Sequence, residues 1–337
     1  MKEKRVPSRA RTVKAKSADK NVSSRKMLEE MLRELSPLMQ GGDLTVDDLS
    51  ALIASLEGPS GDEQLTDGEV NAKYEAQELA FDAMEARSAG EAHRFAKRAL
   101  RLDPDCVDAL LVLCDLDART VKARIAGLEK AVAAGERSLG EKFMREGEGH
   151  FWMLIETRPY MRALEQLGGE MTAAGMLQSA IAVYEKMLRL NPNDNQGVRD
   201  PLLGLYLAAD DVKGARRLLK RYQRDASACF AWGSVVALFL AGEYEKTRTA
   251  LRKAMQANRF VALHLTGREQ LPMGQPEMYS PGSAEESALC LHYLSTALSQ
   301  HKEMVFWLYD QITEMGMAPI PGEDVLRKMK VPKGMVQ

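Results

Sequence analysis

Two stretches of this chain end in the same way: Lys97 to Asp105 reads KRALRLDPD, and Glu185 to Asn193 reads EKMLRLNPN. Each closes on Leu-Arg-Leu, then Asp or Asn, then proline. Proline cannot donate into a helix and disfavours helical geometry in the residue before it. The short polar residue beside it suits a turn. Each proline therefore fixes where a helix stops. A chain that repeats its helix stops is built from repeated supersecondary units, which limits the fold more than any bulk property does.

Counting back from these stops finds small residues at set places. Ala92 and Ala99 precede Pro104, and a count of thirty-four predicts Ala126 and Ala133 as their equivalents. Leu167, Gly168, Gly175, Ala180 and Tyr184 precede Pro192, and Gly242, Leu251 and Ala254 make a weaker copy. Small residues at such offsets let two antiparallel helices approach closely. No alternation of strand type appears over any length. Aromatics are only 6% while Met reaches 19 residues, so the core is Ala, Leu and Met, which suits packed helices better than sheets. The expected fold is all-α.

The spacing resembles the tetratricopeptide repeat, whose period is about 34 residues. It matches best at 161–194, then at 71–104, and less closely at 107–140 and 228–260. Segment 195–227 fits with a one-residue offset and lacks the terminal proline. Three further strings resemble a bacterial group of tetratricopeptide-repeat proteins: AQELAFDAMEA (76–86), GHFW with ETRPYMRA (149–163), and NPNDNQGVRD (191–200). That resemblance covers about residues 44–312. It implies a helical-hairpin solenoid and no established chemistry. Some members of the group carry a Cys-rich zinc motif, and this chain has none.

The chain divides into five parts. Residues 1–26 hold ten Lys or Arg against Glu3 and Asp19, so this arm is +8 while the remainder is −10 within a total of −2. A basic, Ser-rich, nearly core-free arm is expected to be disordered. Residues 27–57 read as a short helical segment, with Leu28, Met31, Leu32 and Leu35 at helical spacing and Thr45 opening a second helix. Residues 58–68 form a linker around Gly58-Pro59-Ser60-Gly61-Asp62. The repeat domain is expected at 69–312, ending in one or two capping helices (287–312) with Leu291, Leu294, Leu298, Phe306 and Leu308 in their core. Residues 313–337 are a tail.

Catalytic and cofactor signatures are missing. The four cysteines and five histidines share no ligand spacing, so no metal is expected. No phosphate-binding glycine loop, GxSxG elbow or activated cysteine is present, so no cofactor and no catalytic residues are assigned. Cys106, Cys114, Cys229 and Cys290 form no CxxC pair, and no apolar signal segment or membrane span is seen. They read as reduced thiols of a cytoplasmic protein.

The leading expectation is a non-catalytic scaffold that binds a protein or peptide on the concave face of the solenoid, where repeats of this kind present the first helix of each hairpin. Counted from Pro192, the third hairpin offers Arg162, Glu165 and Gln166. The fourth offers Gln196 and Arg199, and the fifth Cys229 and Trp232. The family's clamp for a C-terminal carboxylate does not carry over, since Glu165 and Gly169 stand where it would need Lys and Asn. Arg158, Arg162 and Arg199 remain suited to an acidic segment through forked hydrogen bonds. ETRPYMRA reads first as a corner, with Thr157 as N-cap, Pro159 in the first helical turn, and Tyr160 and Trp152 packed beside it. A site built on that corner is compatible with this. The alternatives are a nucleic-acid-associated regulator anchored by residues 1–26, and an enzyme with an unrecognised site.

Overall fold

The computed structural model describes residues 68–152, 154–274 and 278–316. The arm, the segment 27–57, the linker up to residue 67 and the chain from 317 lie outside the described residues. The described chain contains thirteen α-helices and no strand. It divides into two compact units, one reaching Glu170 and including Arg189–Pro192, the other made of Met171–Leu188 and everything from Asn193 on.

The first unit holds α1 (Gly68–Glu85), α2 (Ala89–Leu102), α3 (Val107–Asp117), α4 (Val121–Glu146) and most of α5 (Arg158–Ala173). Its core is largely alanine: Ala76, Ala80 and Ala83 of α1 pack with Ala96 and Ala99 of α2 and with Ala109 of α3. Side chains this small bring the helix backbones close. Ser88 and Thr120 open the second helix of each hairpin, accepting from Glu91 N (3.2 Å) and Ala123 N (3.1 Å). Caps of this kind contribute about 1 kcal/mol each. Asp103 ends α2, and its carboxylate accepts from Asp105 N at 2.9 Å to shape the turn around Pro104.

The count of thirty-four is corrected here. Ala126 is exposed and Ala133 half-buried, while Leu128, Ala131 and Ala134 are wholly buried. The caps Ser88 and Thr120 stand thirty-two positions apart, two short of the repeat period. Two residues turn a helix by roughly 200°, enough to carry the expected pair out of the core.

The second unit holds the end of α5, most of α6 (Leu177–Leu190), and α7 (Arg199–Ala208), α8 (Val212–Arg221), α9 (Ala228–Leu240), α10 (Tyr244–Ala257), α11 (Phe260–Leu265), α12 (Ala284–Gln300) and α13 (Lys302–Glu314). One helix ending recurs through it. At Gly175, Asp210 and Gly242 a residue with positive φ (72°, 55° and 72°) breaks the helix. The next N–H then reaches back to the preceding helix: Met176 to Met171 O (2.9 Å), Asp211 to Tyr206 O (2.8 Å), and Glu243 to Leu238 O (3.0 Å). This is the Schellman closure, which favours glycine because it has no Cβ to clash. Ala180, Tyr184, Leu251 and Ala254 are buried as the spacing predicts.

Candidate functional site

In the first unit the first helices α1, α3 and α5 are joined by one polar chain. Asp108 of α3 is 0% exposed. It accepts from Gln77 Nε2 of α1 at 2.7 Å and, through both oxygens, from Arg162 of α5 at 3.0 and 2.5 Å. A forked pair of this geometry satisfies the carboxylate and fixes the guanidinium plane. The Arg162 side chain is 12% exposed, so its charge is spent inside the fold rather than presented to a partner.

The corner around Pro159 is a packed one. Thr157 is buried and directly precedes α5. It sits in a 3-10 turn, Ile155–Thr157, and its hydroxyl donates backwards to Leu154 O (2.6 Å) and to Phe151 O. The turn also takes up the first N–H of the helix, Arg158 N donating to Ile155 O. Pro159 is the second residue of α5. Tyr160 is buried, donates to Glu136 at 3.0 Å and meets Phe151 edge-on at 6.2 Å. A Cβ on Gly135 would lie 2.6 Å from the Tyr160 ring, so this glycine is what admits the tyrosine. Arg158 lies 5.2 Å over Trp152. Glu165 is exposed and Gln166 half-buried.

In the second unit, Arg199 stands at the start of α7 among carboxylates. Its Nε is 2.7 Å from Asp225 and 3.8 Å from Asp194, and its guanidinium lies over Tyr222 (5.2 Å) and Phe230 (5.9 Å). Asp194 takes a positive φ of 53° and accepts from Val198 N (2.8 Å) and Arg199 N (3.0 Å). This accounts for NPNDNQGVRD: a buried aspartate organises the entry to α7, and the arginine balances it. Burial pushes the Asp194 carboxyl up, opposed by those N–H groups and by Arg199. Asp200 is pushed up to about 7, by burial first and by Asp225 next. Gln196 is half-buried. Arg199, Arg221, Tyr222 and Arg224 border an open cavity of about 480 Å³.

The first-helix face of α7 and α9 is covered by the chain's own α12. Glu286 of α12 is buried and accepts from Ala228 N, at the N-terminus of α9, at 2.9 Å. Its other oxygen accepts from Asn258 Nδ2 (2.9 Å) and Gly282 N (2.6 Å). One turn on, the buried Cys290 lies beside Cys229 of α9, whose thiol donates to Asp200 O at 3.9 Å. Farther along, the Tyr293 backbone meets Gly204 of α7 so closely that an added Cβ would be 2.2 Å from its carbonyl oxygen. Trp232 is in the core at 2% exposure, its indole N–H donating to Asn258 O at 3.1 Å. Beyond α12, facing α11 and α13, lies an apolar cavity of about 690 Å³ lined by Leu265, Leu289, Leu298 and Phe306.

The seven residues nominated from sequence fall in both units. Arg158, Arg162, Glu165 and Gln166 belong to the first unit; Gln196, Arg199 and Trp232 belong to the second. Both leading arginines hold internal carboxylates, and Trp232 is a core residue. Sequence reading missed α12 as the element lying on α7 and α9, a role written only in long-range packing. It also missed the cations of α8, which were legible as KGARRLLKRYQR but were averaged into the acidic body. Among the described residues, no group of three His, Cys, Asp or Glu is placed to hold a metal ion, and no helix is long and apolar enough to cross a membrane. No protein-family model matches the chain, and no curated protein is significantly similar to it.

Proposed function

We propose that this chain is a non-catalytic interaction scaffold of tetratricopeptide-like hairpins, whose first-helix faces receive a helical or extended segment of a protein. The observation that carries this reading is α12 lying across α7 and α9. An amphipathic helix docked on a face built from neighbouring hairpins is a recurring mode of peptide recognition. Here the occupant belongs to the same chain and is held at three points: a carboxylate at a helix N-terminus, a pair of thiols, and a glycine contact.

The test supplies that occupant from outside. A labelled peptide of residues 284–300 is titrated into full-length protein carrying Leu294→Asp, which weakens the internal α12 and leaves α7 and α9 unaltered. Saturable binding to the variant and none to the parent protein is the expected result. Should the variant keep its helical circular dichroism yet bind no peptide, and Glu286→Ala behave alike, the face is a closed core and the reading fails.

A further inference from the structure

Among the helices of the second unit, α8 is the richest in cations. Lys213, Arg216, Arg217, Lys220 and Arg221 lie in it, and Arg224 follows it in the next turn. Lys213, Arg217 and Lys220 are spaced four and three residues apart, which sets them in one row along the helix, and Arg224 continues the row in the turn beyond the helix end at Arg221. All four are exposed. Arg216 is engaged by Glu243 at 2.5 Å, and Arg221 donates to Leu188 O at 3.0 Å. Among the described residues, the four of the row hold no carboxylate.

We propose that this row binds the phosphodiester backbone of a nucleic acid, at a site separate from the arm and from the first-helix faces. Three features select phosphate over other anionic surfaces. From Lys213 to Lys220 the row spans roughly 10 Å at the helical rise, so it presents evenly spaced cations to an evenly charged strand. α8 and the turn after it carry no large exposed apolar side chain, so the row itself lacks the anchor around which protein interfaces concentrate their energy. The apolar side of α8, Ala215 and Leu218, is buried in the unit, so it has no apolar face to insert into a lipid surface. Arg221 and Arg224 border the cavity beside Tyr222, at the end of the row. Contacts of this sort position a strand without reading its sequence.

The test is fluorescence anisotropy of mixed-sequence oligonucleotides, single-stranded and duplex, titrated with full-length protein over a range of salt. Four phosphate contacts give a slope of log K against log salt of about −3 on a single strand and about −4 on duplex. Replacing Lys213, Arg217, Lys220 and Arg224 with glutamine should weaken binding at least tenfold and remove most of that slope. Changing Lys14, Lys16 and Lys20 of the arm to glutamine should leave the slope of the row in place. Unchanged affinity in the quadruple variant, or complete loss in the arm variant, overturns the proposal. So does binding to polyglutamate or phosphatidylglycerol vesicles with neither oligonucleotide bound.

Discussion

Replacing Gly204 by alanine sets two opposing effects against each other in one methyl group. Gly204 lies inside α7, where alanine favours the helix by about 1 kcal/mol over glycine. The new Cβ, however, would stand 2.2 Å from the carbonyl oxygen of Tyr293 and 2.9 Å from its carbon. These are backbone atoms of a second helix and cannot rotate aside. α12 must retreat by about 1 Å, and a gap of that size forfeits up to half of the dispersion energy of the atoms along it. Overpacking of a tight contact costs about 1–3 kcal/mol, and an unyielding backbone places this case at the upper end. The net expectation is a loss of about 1–2 kcal/mol. Two alanine controls isolate the cause. Gly233 faces a similarly close atom, at 2.5 Å, but it is the tip of the Leu203 side chain, which can change rotamer; that variant should stay within about 1 kcal/mol of neutral. Gly90 has nothing within 4 Å and should gain stability. Urea unfolding followed by circular dichroism reads all three. If Gly204→Ala is as stable as the parent or more so, α12 does not rest on α7 as described.

The buried fork is equally open to test: Arg162→Ala leaves the Asp108 carboxylate, at 0% exposure, with only the neutral Gln77 amide and should cost about 3–5 kcal/mol, whereas Glu165→Ala one turn away should shift the urea midpoint little. Adding Asp108→Ala to Arg162→Ala should recover part of that loss, and no recovery would mean the pair is not the cause. Asp200 gives a pH signature. Its folded value of about 7 lies above the ordinary 3.9 or so of an unfolded aspartate, so between these values only the folded chain keeps the proton, and stability falls as pH rises through that window. Asp200→Asn should therefore raise stability by on the order of 2 kcal/mol at pH 8 and hardly at all at pH 4; equal gains at both would refute the assignment. Asp210→Gly relieves a φ of 55° and removes a carboxylate that is 69% exposed where it meets His301, so it should stabilise the α7–α8 turn by up to about 1 kcal/mol, measured as a rise in melting temperature.

The helices were legible because their stops are local chemistry. LRLDP and LRLNP mark ends through proline, and Gly175 and Gly242 mark turns that need positive φ. The exact period was not legible between Ser88 and Thr120, since a loop can shorten by two residues without altering any nearby pattern. The arginines were found, but not their employment. Arg162 is separated from Asp108 by fifty-four positions, and no local pattern distinguishes a guanidinium facing solvent from one facing a buried carboxylate. The same holds for α12: Glu286 reads as an ordinary acid in a first helical turn until the N-terminus of α9 is placed beside it.

The seat of α12 also orders events during synthesis. Gly204 and Tyr293 are eighty-nine positions apart, and Ala228 and Glu286 fifty-eight. At the usual pace of translation, roughly 5–20 residues per second, α7 leaves the ribosome about 4–18 s before its covering strip is made. Throughout that interval the nascent chain displays a bare α7 and an α9 whose Ala228 N–H has no Glu286 to receive it. The surface that later closes the second unit is thus, for seconds, the one most open to a chaperone or to a neighbouring chain.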